Sequence, residues 1–301
     1  MKRFHILGIS LLIFVAWVTC DIKSGDWAGS GTTALRKSSC SAAIKQHILT
    51  HLPLLRDNED KFMADELPPF LVARPSGSSQ ISKVRKHIKS NLKALNWTVE
   101  RDISKQLTVL GFKRFVNIIA TQDTAARKRI VLACHYDSKL LPLGFVGAMG
   151  SAVPCAMLIY FARTFDPVFK RMHSNTTIQL LFFDGEEAML VRSPIDSLYG
   201  SRNLAKVWAN KKDPHNPSQS YLKNIDAFIL LDLIGHTDTQ FRRFYRETDN
   251  LYSQLIEFET CLREMGMLER SSNLPPMFRD RRRLMPIEDD QAPFLKKGSF
   301  N

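Results

Sequence analysis

The chain has 301 residues, a formal net charge of +12, 44% hydrophobic and 24% charged residues. That length holds one large domain or two small ones, and the composition is that of a globular protein, which excludes a disordered or collagen-like chain. The basic residues are scattered, with one dense patch at Arg279, Arg281, Arg282 and Arg283 and no accompanying nucleic-acid motif, so they read as a solvated face with at most weak attraction to anionic surfaces.

Met1-Lys2-Arg3 precedes an apolar stretch from Ile6 to Val18 and then Thr19-Cys20. A basic start, a short apolar core and a small-residue exit predict a secretory signal peptide over residues 1–20. The apolar run is shorter than the ~20 residues that span a bilayer, and no other stretch is read as a span. Residues 21–39 are polar and read as a flexible lead-in, which leaves 40–301 as the folded part.

A helix is expected over Ala42 to Leu52. Ile81, Val84, Ile88, Leu92 and Leu95 recur at steps of three and four, the stripe of an amphipathic helix. Phe115 to Thr121 and Arg129 to Cys134 read as strands, and Ser151 to Thr164 as a helix with Ser151 at its N-cap. Ile178 to Phe183 is a strand, Leu198 to Trp208 a short helix, Ala227 to Ile234 a strand. Leu251, Leu255, Phe258, Leu262 and Met265 mark a last amphipathic helix stopped at Gly266. Strands alternating with helices predict an α/β domain.

Three of the predicted strands end in the same way. Ile130 to Cys134 runs into His135-Tyr136-Asp137, Ile178 to Phe183 into Asp184-Gly185-Glu186-Glu187, and Ala227 to Leu231 into Asp232. One such end is commonly a surface turn. Three together point to a cleft at the carboxyl ends of parallel strands, where α/β proteins place their ligands. Adjacent glutamates there can divide the work, one holding a metal and the other moving protons.

These segments, in this order, resemble the animal glutaminyl-peptide cyclotransferases (glutaminyl cyclases). The resemblance rests on Leu132-Ala133-Cys134-His135-Tyr136-Asp137-Ser138-Lys139, Ser151-Ala152-Val153-Pro154-Cys155, Phe182-Phe183-Asp184-Gly185-Glu186-Glu187-Ala188, Asp196-Ser197-Leu198-Tyr199-Gly200-Ser201, Leu231-Asp232-Leu233-Ile234-Gly235 and Asp289-Asp290 before Pro293-Phe294-Leu295. It implies a zinc-aminopeptidase-like fold, a single α/β domain with a twisted central mixed sheet flanked by helices. It also implies conversion of N-terminal glutamine, or more slowly glutamate, of peptides to pyroglutamate at a single zinc. Glu187 takes the position of a zinc ligand, Glu186 that of the general base and acid, and Asp232 and Asp289 those of a hydrogen-bonded acidic pair. Cys134 and Cys155 match the family's disulfide, leaving Cys40 and Cys261 unassigned. Asn96 and Asn175 stand in glycosylation sequons, compatible with secretion.

The chain departs from the pattern at several positions. Gly150 stands where the family has an aspartate zinc ligand, Arg192 where it has a pocket tryptophan, and Glu288 and Gln291 flank the acidic pair in place of glutamine and histidine. The family's ligating histidine, with the last strand and helix, has no counterpart before Asn301, so the domain is expected to be incomplete at its C-terminus. Of three expected ligands Glu187 remains, with His135 a further candidate, and catalytic zinc ordinarily takes three. The expectation is therefore a member of the family with zinc weak or absent and catalysis impaired. The alternatives are a peptide-binding pseudoenzyme and, less favoured, a zinc aminopeptidase, whose bridging carboxylate Gly150 also removes.

Overall fold

The computed structural model describes residues 40–56, 62–171, 175–236, 239–267, 275–283, 285 and 287–298. The predicted signal peptide and lead-in lie outside them. The protein is mixed α/β, and its chain divides into two compact units, one of Lys61–Ile234 with Glu288–Asn301 and one of Met1–Asp60 with Gly235–Ile287.

The larger unit holds a five-stranded sheet. Its strands are β1 (Thr98–Thr108), β2 (Gly111–Thr121), β3 (Lys128–His135), β4 (Thr176–Phe183) and β5 (Ile225–Leu230), in the order β1-β2-β4-β3-β5. β1 and β2 form an antiparallel hairpin, β2 and β4 pair antiparallel, and β4, β3 and β5 run parallel. The sheet is thus the expected mixed one. β3 and β4 are covered on both faces, which is why they read as unbroken apolar runs. β1 carries charges along its length and lies at an edge, a composition that discourages pairing with other chains.

Helix α1 (Ser79–Ala94) begins at Ser78, whose side chain accepts from the Ile81 amide at 3.1 Å. It buries Ile81, Val84, Ile88 and Leu92, four residues of the predicted stripe. Helix α2 (Val153–Arg171) starts two residues later than expected, because a wide turn over Ala148–Ala152 precedes it. Ser151 is therefore not an N-cap: its hydroxyl donates to the Asp137 carbonyl at 2.8 Å and accepts from Arg74. The stretch 148–171 is long and apolar enough to cross a membrane by length and composition, but 72% of its apolar 18-residue window is buried within the protein. It is a core helix, with Phe161, Phe165 and Phe169 packed on one another. Helices α3 (Tyr199–Asn210) and α4 (Ala292–Lys296) contribute Leu204, Ala205, Trp208 and Phe294 to a core cluster with Val131, Leu181 and Phe183 of the sheet.

In the smaller unit, helices Ala42–Arg56 and Asp249–Glu264 accompany a two-stranded parallel sheet of β6 (Phe241–Arg243) and β7 (Phe278–Arg282). Phe241 stacks on Phe278, with ring centroids 4.9 Å apart. The buried Glu259 carboxylate accepts the Met277 and Phe278 amides at 2.8 and 2.9 Å, fixing the start of β7. A disulfide joins Cys40 to Cys261. Within the basic patch Arg282 pairs with Asp249, while Arg281 and Arg283 are exposed.

Candidate active site

β3, β4 and β5 are parallel neighbours, so their carboxyl ends fall on one edge of the sheet. His135 is the last residue of β3. Glu186 and Glu187 lie just past β4, on a turn made possible by Gly185. That residue has φ +79°, and a side-chain carbon there would lie 2.5 Å from the Phe115 ring, so only glycine fits. Asp232 follows β5, which ends at Leu230, earlier than the sequence suggests.

One carboxylate organises the group. Asp137 is 1% exposed. It accepts the Glu186 and Glu187 amides at 3.3 and 3.1 Å, and its Oδ1 is 3.3 Å from His135 Nδ1. It thereby shapes the Glu186-Glu187 turn and aims the other face of the imidazole at the cleft. There Nε2 lies 3.8 Å from Asp232 Oδ1 and 4.0 Å from Glu186 Oε2. The sequence holds a signal for this role, an acid two residues past His135 on a strand end, but which groups it serves is set by the fold. Behind it the fully buried Arg74 donates to the Phe70, Val72, Tyr136 and Val146 carbonyls at 2.7–2.9 Å, as well as to Ser151. That web pins the wall of the cleft.

Asp289 and Asp290 enter from the loop before α4. The Asp289 carboxyl is hydrogen-bonded to Asp232, and the Asp290 amide donates to Asp289 Oδ1 at 2.7 Å. Burial, then the charges of Asp232 and Glu186, push the Asp289 carboxyl up to about 7. Burial acts the same way on Asp232, but its hydrogen bond to His135 and that residue's charge hold it below the usual range. The pair thus divides into an ionised member and one that keeps a proton near neutrality. Burial and then Glu186 push Glu187 up to about 7. Burial disfavours the charge on His135, yet hydrogen bonds to Asp137 and Asp232 raise its pKa well above the ordinary value.

Ligand atoms of His135, Glu186 and Glu187 lie within 4.8 Å of one another. One imidazole nitrogen and two carboxylates are donors of the type that hold a divalent cation such as zinc, and a cation bound there would require His135 to give up its proton. A side-chain carbon on Gly150 would stand 3.5 Å from Asp232 Oδ1 and 3.7 Å from His135 Nε2. That position faces the donors and offers none.

Arg192 also reaches the group. Asp196 accepts the Met189, Leu190 and Val191 amides at 2.9–3.0 Å and so folds the segment before it. From that segment Arg192 Nη1 donates to Glu186 Oε1, and Nη2 to the Glu288 carbonyl at 3.0 Å. Nothing in the sequence marks this contact.

The structure corrects the expected cysteine pairing. The Cys134 and Cys155 sulfurs are 3.3 Å apart and both thiols are free, against a bonded distance of about 2.05 Å. Cys155 also donates to the His135 carbonyl at 3.2 Å, so the two thiols pack as hydrogen-bonding neighbours. The closed bridge is that of Cys40 and Cys261, the two left unassigned.

A sheet with acids and a histidine at its parallel carboxyl edge defines the class, and the profile of Peptidase family M28 matches residues 117–301. A Zn-dependent exopeptidase from Parabacteroides distasonis shares the fold, with a TM-score of 0.57 at 20% identity over 80% of each chain. The likeness is nearer elsewhere. The glutaminyl-peptide cyclotransferase of Bothrops jararaca is 39% identical over 256 residues, 80% of this chain and 70% of the relative. The crystal structure of Macrostomum lignano glutaminyl cyclase superposes with a TM-score of 0.74 at 35% identity, covering 90% of this chain and 82% of that one. The protein belongs to the glutaminyl-peptide cyclotransferase family.

Proposed function

We propose that the protein binds peptides with N-terminal glutamine, or glutamate, at the cluster of Glu186, Glu187, His135, Asp232 and Asp289, and cyclises them slowly to pyroglutamate. The observation that carries this reading is the convergence of those five side chains at one sheet edge. In the reaction the α-nitrogen forms a bond to the side-chain carbonyl carbon; with glutamine the carboxamide C–N bond breaks and ammonia leaves, and with glutamate a carboxyl C–O bond breaks and water leaves. Glu186 takes the proton from the α-amine and delivers it to the departing group. Asp289, protonated near neutrality, donates a hydrogen bond to Asp232 and keeps a second negative charge off the cleft floor. His135 and Glu187, with Glu186 beside them, would hold a divalent cation such as zinc, which would polarise the substrate carbonyl when bound. Turnover is slow for two reasons. Gly150 contributes no ligand, so the cation is weakly held, and Arg192 engages the carboxylate that must move the proton.

The same two features favour a second reading, peptide binding without turnover. Incubating the purified chain with an N-terminal Gln peptide and zinc, and following ammonia and pyroglutamate, decides between them. Slow conversion abolished by Glu186→Gln supports cyclisation. A peptide that binds and is returned unchanged supports the second reading.

We place the protein in the secretory pathway. The signal-like segment 1–20, the Cys40–Cys261 bridge and the exposure of Asn96 and Asn175 support this. Expression in a secreting cell, with glycosidase treatment of the medium, tests it.

A further inference from the structure

The larger unit carries a second concavity beside the acidic cluster, a cleft of about 520 Å³. Arg192, Arg202, Lys206, Lys296 and Lys297 line it, against one acid, Glu288. Arg202 and Lys206 are one turn apart on α3 and so share its face. Leu198, Ala205 and Pro293 give it an apolar floor.

Its charges are not all spent internally. Arg202 donates to the Pro194 and Ile195 carbonyls and lies over the Tyr199 ring, which fixes the guanidinium without neutralising it. Lys296 meets Glu288 at 3.1 Å, an exposed pair that competes poorly with a ligand. Among the described residues, Lys206 and Lys297 have no carboxylate within salt-bridge distance. The cleft therefore keeps an excess of positive charge over an apolar floor, in the size range of small-ligand sites.

Its position selects the ligand. Arg192 lines the cleft and also donates to Glu186, and Glu288, on its wall, adjoins Asp289. Arg192 is thus common to both, so a chain whose first residue is at Glu186 would have this concavity beside its following residues. An extended peptide with carboxylate side chains matches the apolar floor and the cationic walls together. A small inorganic anion would use the charges alone.

We propose that this cleft binds acidic side chains at the positions following the N-terminal residue of a peptide, so that the protein selects acidic peptides. The assignment of the peptide N-terminus to the neighbouring cluster rests on the function proposed above.

Fluorescence anisotropy on the full chain, with labelled Gln-Glu-Glu-Glu and Gln-Lys-Lys-Lys peptides, provides the test. The acidic peptide should bind about tenfold more tightly, with the margin shrinking as salt is raised. Lys206→Glu with Lys297→Glu should remove that preference or reverse it. Should that pair fail to fold, Lys206→Gln and Lys297→Gln singly should each narrow it. Equal affinity for both peptides, or a preference indifferent to these substitutions, overturns the proposal. So does tighter binding of a sulfated oligosaccharide than of the acidic peptide, which would make the cleft a polysaccharide site. An acidic preference without pyroglutamate formation leaves this proposal standing and removes the catalytic one; equal cyclisation of both peptides does the opposite.

Discussion

Arg192 is hydrogen-bonded and ion-paired to Glu186, one of the three groups that can hold a cation. A guanidinium and a metal ion compete for the same carboxylate. Replacing the arginine by tryptophan or alanine should raise zinc affinity about tenfold, read by isothermal titration calorimetry. Zinc affinity unchanged in both variants would show that the ion pair does not restrain the site.

Gly150 offers a route to repair. A side-chain carbon there makes only ordinary contacts with Asp232 and His135, and its φ lies outside the left-handed region. Gly150→Asp should therefore fold normally and add a carboxylate donor facing His135. Zinc should bind roughly tenfold to a hundredfold more tightly, by equilibrium dialysis and metal analysis. His135→Ala should abolish the gain. If it does not, the added acid binds the cation with some other set of partners.

Asp184 sets a pH dependence of stability. It is fully buried, and burial followed by the Asp137 charge raise its pKa from 3.8 to about 7, against hydrogen bonds from Ser76 and the Val116 amide. The folded state keeps this proton between about pH 4 and pH 7 while the unfolded chain releases it. The contribution of Asp184 is thus fully present below pH 3.8 and is lost as pH rises through 7. Asp184→Asn does not titrate. Its melting temperature relative to the native chain should rise from pH 4 to about pH 7 and level off above it, and a constant offset across this range would contradict the shift.

The Cys40–Cys261 bridge closes a sequence separation of 221 residues. Constraining so long a loop in the unfolded chain is worth about 2–4 kcal/mol in measured cases. Cys40→Ala with Cys261→Ala should lower the denaturation midpoint accordingly, and reductant should then have little further effect. A midpoint equal to that of the oxidised native chain would remove the bridge from the account of stability.

Much of this was legible in the residues. β3 and β4 are buried on both faces, so each is a plain apolar run, and the change to His135 or to Asp184 marks where it leaves the core. α1 showed itself through Ile81, Val84, Ile88 and Leu92. β1 did not, because this exposed edge strand spaces Val99, Ile103 and Leu107 four apart among polar and charged residues and lacks the alternation that marks a strand. The helix at Ser151 began late because the hydroxyl serves Asp137 and Arg74 instead of a helix end. Arg192 escaped as a contact: its substitution was visible in the sequence, but its partner is fixed by Asp196 and the segment that residue folds. The cysteines misled for a related reason. The family resemblance implied a Cys134–Cys155 bridge, and the two do lie side by side, unbonded.

Arg74 has a practical consequence for anyone preparing a shorter version of the protein. The region matched by the family profile starts at residue 117, and a fragment trimmed to it would retain Glu186, Glu187, His135, Asp232 and Asp289. It would also discard the guanidinium that ties Tyr136, Val146 and Ser151 together. Homology boundaries thus enclose the reacting groups while excluding their buttress. A minimal fragment should begin ahead of Phe70, whose carbonyl completes the web.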